Sequence, residues 1–105
     1  MSQTINLGGN VAALTESRDV AKILKDGNIT QAIVHFPPGA NGLVDVALFR
    51  NTEQILPQSG FIALDDTTPA YALNVPAKIG DDISATFRNT DSANAHRVTI
   101  QATIS

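Results

Sequence analysis

The sequence predicts an all-β fold: a single-domain antiparallel β-sandwich of jelly-roll type with an N-terminal arm. Three observations predict it. Charged residues are 16% of the 105 residues, against about 25% in ordinary soluble domains. Thr, Asn, Ser and Gln take their place, and these suit pleated surfaces and turns. Glu and Lys, which solvated helices carry in quantity, are scarce, with Glu16 and Glu53 the only glutamates. Finally, two segments near the C-terminus alternate apolar and polar residues without a break, so each has one dry and one wet face.

Taken in order, residues 1–27 read as the arm. It is polar and punctuated by Gly8-Gly9, with one edge strand around Thr4–Leu7. Within it, Arg18–Lys25 supports a short helix capped by Thr15 or Ser17. Val20, Ile23 and Leu24 would share a face at helical spacing, and Asp26-Gly27-Asn28 would end it. Eight or nine residues make a marginal helix unless it docks, so an extended segment competes.

Residues 28–105 read as the sandwich. A first strand over Asn28–Phe36 stops at Pro37-Pro38-Gly39, and a second runs from Leu43 to Arg50. A third covers Gln54–Leu56, breaks at Pro57 and resumes over Gly60–Leu64; a fourth covers Ala70–Val75. The fifth, Asp82–Arg88, places Ile83, Ala85 and Phe87 on one side. The sixth, His96–Ile104, does so with Val98, Ile100, Ala102 and Ile104. Short strands at this spacing suit a sandwich or jelly roll.

The first two of these strands are expected to pair as a hairpin, and it is apolar on both faces. Val44, Val46 and Leu48 lie on one face of the second strand; Leu43, Ala47 and Phe49 lie on the other, interrupted only by Asp45. Its partner offers Ala32, Val34 and Phe36 against Ile33 and His35. A two-layer sandwich buries one face of each sheet, so something must cover the second. Each covered side chain is worth about 1.5–3 kcal/mol. The candidates are residues 1–25, a second copy of the chain, or a larger host surface. Ile33, His35, Leu43, Ala47, Phe49 and the lone tyrosine, Tyr71, are the interface candidates.

Several function classes find no support. Without cysteine there is no disulfide, thiolate metal site or cysteine nucleophile. A net charge of −3 disfavours phosphate-driven binding to nucleic acid. No apolar run approaches the ~20 residues of a membrane-spanning helix, and Met1-Ser2-Gln3-Thr4 lacks the start of a secretory signal. Gly-x-Ser-x-Gly and phosphate-loop patterns are missing. Asp65-Asp66 and Asp81-Asp82 sit in turns, where calcium would need six to eight oxygens; capping of turn amides explains them better. His35 and His96 would need a carboxylate such as Asp45 beside them to hold a metal. The expectation is a non-enzyme without cofactor or metal.

The stretch Ile33-Val34-His35-Phe36-Pro37-Pro38-Gly39-Ala40-Asn41-Gly42-Leu43-Val44-Asp45-Val46, with the closing strands at 82–104, resembles the small β-sandwich cement or decoration proteins of tailed-phage heads. No residue matches a functional residue of that family. The resemblance implies a structural, capsid-stabilising protein on the virion surface. It would self-associate, often as a trimer at a symmetry axis, and dock on the major capsid protein. The competing expectation is a module binding a glycan or cell-surface receptor through loops 51–54, 65–69 and 89–95, although the chain has no Trp for sugar stacking.

Overall fold

The segments with the cleanest alternation occupy interior positions in two sheets. A computed structural model describes residues 2–105 and contains eight strands and, among those residues, no helix. The strands are β1 (Gln3–Val11), β2 (Glu16–Lys22), β3 (Gly27–His35), β4 (Val44–Arg50), β5 (Glu53–Leu56), β6 (Ala70–Ala77), β7 (Asp82–Asn89) and β8 (His96–Ile104). A first sheet has the order β1-β8-β3-β6 and a second β2-β7-β4-β5.

The pairings reveal the topology. Strand β1 pairs with β8, β2 with β7, β3 with β6 and β4 with β5, all antiparallel. The chain is thus one long hairpin of strand pairs, rolled up so that β3 meets β8 and β4 meets β7. This is an eight-stranded jelly roll, and the expected all-β sandwich holds. The molecule measures 42 × 23 × 21 Å.

The core lies between the sheets. Phe36, Ile83, Phe87, Leu48, Ile29 and Ile104 are fully buried. The alternating residues of β7 and β8 supply much of it, as their period requires. Gly8 admits the closest approach to this core. Its φ is +105°, and a Cβ there would collide with the Val98 carbonyl oxygen and stand 2.8 Å from Phe87. Only glycine fits.

Several expectations are corrected. Met1 lies outside the described residues, and the rest of the segment 1–27 is not an arm: β1 pairs with β8 over nine positions and buries Ile5, Leu7 and Val11, so no boundary falls at residue 27. The segment read as a short helix is β2 and the turn after it. Its backbone pairs with β7 over seven positions, which outweighs a helix of marginal length. Val20, Ile23 and Leu24 accordingly do not share a face: Ile23 is buried, whereas Val20 and Leu24 are exposed. Nor is there a hairpin over 28–50, because β3 and β4 lie in different sheets. The connection through Pro37-Pro38-Gly39 crosses the core's rim instead of turning back within one sheet. The expected resumption at Gly60–Leu64 reduces to one bridge, Val46 with Ile62.

Candidate functional site

Register assigns every strand residue to the inner or outer side of its sheet. In the first sheet Ile5 faces Ala102 and Leu7 faces Ile100, all buried. The residues between them therefore point outward: Thr4 beside Thr103, Asn6 beside Gln101, Asn10 beside Arg97. From β3 this outer face receives Gln31, Ile33 and His35, and from β6 Ala70 and Ala72. Among the described residues Arg97 is the one Lys, Arg, Asp or Glu on it, near its margin. His35 pairs its Nδ1 with the Thr68 hydroxyl at 2.9 Å.

The outer face of the second sheet is built differently. Three rows cross it: Glu16–Arg88–Asp45, Arg18–Thr86–Ala47 and Val20–Ser84–Phe49. Arg88 donates to Asp45 at 2.7 Å and lies 3.7 Å over the Phe61 ring. Small residues at Ser84, Thr86 and Ala47 leave the middle of the face low. The result is a depression of about 250 Å³ lined by Arg18, Phe49, Thr86, Asn51 and Thr52. Arg18 donates from Nη2 to the Ser84 hydroxyl at 3.2 Å and meets no carboxylate among the described residues. The Thr52 and Thr86 hydroxyls are likewise without a partner there.

The two ends of the sandwich are held by side-chain networks. At one end Asp81 accepts from Arg50 at 3.0 Å and from the Lys78 amide, while Asn51 bridges to Asp81 and to the Asp82 amide. The Lys78 amide, then Asn51 and Arg50, hold the Asp81 carboxyl below its ordinary value despite the opposing effect of burial. At the other end Asn89 is buried and donates to the Val11 and Asn94 carbonyls. Asp91 accepts from the Ala93 amide at 2.9 Å and pairs with His96 Nε2 at 2.8 Å. The Ala93 amide, then His96, outweigh burial and bring Asp91 down to about 2. Exposed aliphatic side chains stand near these networks, Leu24 and Ile79 at the first end and Leu14 at the second.

The structure divides the six interface candidates. Ile33 and His35 lie on the outer face of the first sheet; Ala47 and Phe49 lie on that of the second. Leu43 sits in the loop before β4, and Tyr71 packs half-buried against the core. Ala47 is 1% exposed within the single chain, so a partner is not needed to cover it. The aspartate pairs also separate, Asp65 accepting from the Asn41 amide and Asp81 joined to Arg50. Among the described residues no three His, Asp or Glu side chains converge. Loop 51–54 lies at the opposite end of β4 from loop 89–95, since Val44 pairs with Asn89 and Arg50 with Ile83. They do not form one site. The sequence reading named loop 51–54, which holds Asn51 and Thr52, but missed Arg18 and Thr86. The signal for Arg18 was the alternation Arg18, Val20, Lys22 outside against Asp19 and Ala21 inside, once that segment is taken as a strand.

No family model matches the chain, and no curated protein matches it. Solved structures do. The mitogen of Yersinia pseudotuberculosis aligns over 100% of this chain and 88% of its own, with TM-score 0.59 and 14% identity. The protein FLHE aligns over 99% and 94%, with TM-score 0.54 and 12% identity. The secreted serine protease VesC of Vibrio cholerae matches 90% of this chain with only 20% of itself, at TM-score 0.56 and 14% identity. Likeness at such identity shows the β-sandwich fold and nothing finer.

Proposed function

We propose that this β-sandwich is a non-enzymatic structural protein that reinforces a viral shell, docking as a cement or decoration protein on the major capsid protein and on copies of itself. The observation that carries this reading is the charge-poor outer face of β1-β8-β3-β6. Exposed sheets normally carry Lys and Glu, which blunt unwanted association. This face instead offers hydroxyl and amide groups around Ile33, with Arg97 alone contributing a full charge among the described residues. Depletion of charge marks the centre of protein interfaces.

Size decides the kind of docking. Four strands about 4.8 Å apart and roughly 30 Å long give a face of about 500 Å². A stable one-to-one complex takes about 800 Å² per partner. One such face therefore binds weakly alone and gains its effect from many copies on a repeating surface. Each bound copy then adds its contacts to those that must break before the shell opens. Location on the capsid surface, and assembly as trimers, belong to the same proposal.

The test compares particles carrying the chain with particles lacking it. Loaded particles should rupture at a higher temperature, and adding back purified chain should restore the difference. Equal rupture temperatures would remove the reinforcing role.

A further inference from the structure

We propose that the depression on the β2-β7-β4-β5 face is a second, separate site, one that binds a carboxylate-bearing sugar unit of the uronic acid type. It lies on the sheet opposite the charge-poor face, so it stands or falls apart from the docking role.

The argument starts with Arg18. Its guanidinium is steadied by the buried Ser84 hydroxyl at 3.2 Å, yet no carboxylate among the described residues neutralises it. Lys22, Arg50 and Arg88 on the same sheet all have one. A planar cation with spare donors matches a carboxylate through paired hydrogen bonds. Across the depression stands Phe49, half-buried, and the part of its ring that lines the depression offers an apolar wall to the C–H face of a pyranose. The Thr52 and Thr86 hydroxyls complete the lining, each free to donate and to accept. These three kinds of group fit a ring that has one apolar face, several hydroxyls and one negative charge. A neutral sugar could accept from Arg18 through a hydroxyl but would leave its charge uncompensated. A phosphate or an acidic protein side chain could accept from Arg18 and a threonine hydroxyl but would leave the Phe49 ring unused.

The experiment is a titration of the isotopically labelled full chain, followed by amide NMR shifts at constant ionic strength. Three probes are compared: glucuronate, glucose and acetate. Glucuronate should shift the amides of Arg18, Phe49, Asn51, Thr52 and Thr86 in a saturable way. Glucose and acetate should bind at least tenfold more weakly. Arg18→Gln, a change at an exposed side chain, should weaken glucuronate binding at least tenfold and leave the rest of the spectrum in place. Thr86→Val should weaken it several-fold. No shift with glucuronate overturns the proposal. Acetate binding as well as glucuronate reduces the site to a plain carboxylate receptor, as for an acidic side chain of a partner protein, and also overturns it. Glucose binding equally well does the same. Because the three probes are compared on the unaltered chain, the test remains decisive even if a variant fails to fold.

Discussion

The outer face of β1-β8-β3-β6 presents Thr, Asn, Gln and Ala around Ile33, with Arg97 at its margin. The outer face of β2-β7-β4-β5 presents Glu16, Arg18, Lys22, Asp45, Asp82 and Arg88, several of them paired. Both sheets serve the same core, and both alternate with the same period, so core packing does not explain the contrast. What differs is the manner of meeting the surroundings. The second face covers part of its apolar surface within the chain: Arg88 ties to Asp45 and lies over the Phe61 ring, and Ala47 beside them is dry, while Val20 and one side of Phe61 stay exposed. The first face has no such ion pair, and Ile33 lies half-buried among uncharged neighbours. A face nearly free of charge is suited to contact, whereas a face that sets an unneutralised guanidinium beside an aromatic ring and two threonine hydroxyls is suited to a small charged ligand.

The largest predicted effect breaks the comparison by striking what the faces share. Phe87 is fully buried, sits in the central strand β7 and stands against Gly8 of the other sheet. Phe87→Ala should cost about 3–5 kcal/mol, measured by urea unfolding. Phe49→Asp probes the same aromatic type on an outer face. It should cost about 1–2 kcal/mol and leave a folded chain. Similar losses at the two positions would mean that Phe49 belongs to the core and that the depression is a seam of the interior.

A smaller effect should come from Arg88→Ala. It removes a part-exposed ion pair worth about 0.2–1 kcal/mol and a cation–π contact worth about 0.5–1 kcal/mol. The expected loss is about 1–2 kcal/mol, with a rise in the exposure of Phe61 and Ala47 detectable as faster amide exchange nearby. An unchanged exchange pattern would show that the second face does not depend on this cover.

These contrasts bear on what the sequence could reveal. The interior strands β7 and β8 were legible because each faces the core on one side and polar surroundings on the other, which imposes a period of two. Strand β2 was not, because it lies at a sheet edge. Its inner positions, Ser17, Asp19 and Ala21, reach only the rim, and its one large apolar residue, Val20, points out. Partners for β3 and β4 were misassigned because adjacency in sequence favours a hairpin. Residues 36–43 are long enough to pass between layers about 10 Å apart, and no local residue type distinguishes the two outcomes. The depression was hidden for the same reason: Arg18, Thr86 and Phe49 are far apart in the chain, and pairing alone brings them together.

The ends of the sandwich give a prediction in pH. Asp91 has a folded-state value of about 2 against an ordinary 3.8. Its folded value is depressed, so its contribution is full above about pH 4 and is lost as pH falls towards 2. Urea midpoints measured from pH 5 to 2 should fall for the natural chain. In Asp91→Asn they should start lower and fall less steeply over that window. A parallel fall in both proteins would place the acid sensitivity elsewhere, with Asp81 as the next carboxylate to vary, since it too is held low.

The smallest effect on stability carries the sharpest comparison of the faces. Gln101 lies exposed at the centre of the first outer face, between Asn6 and Ile33. Gln101→Lys places a charge there without touching the core, so stability should change by no more than about 0.5 kcal/mol. Val20→Lys makes the same addition to the second face, at a side chain 49% exposed, with a similarly small cost. If the charge-poor face is the one that docks, Gln101→Lys abolishes both self-association in light scattering and the rise in particle rupture temperature. Val20→Lys leaves both intact. The reverse pattern would move the docking surface to β2-β7-β4-β5. Equal loss from both variants would point to net charge rather than a face as the determinant, because each raises the chain's charge by one unit from −3.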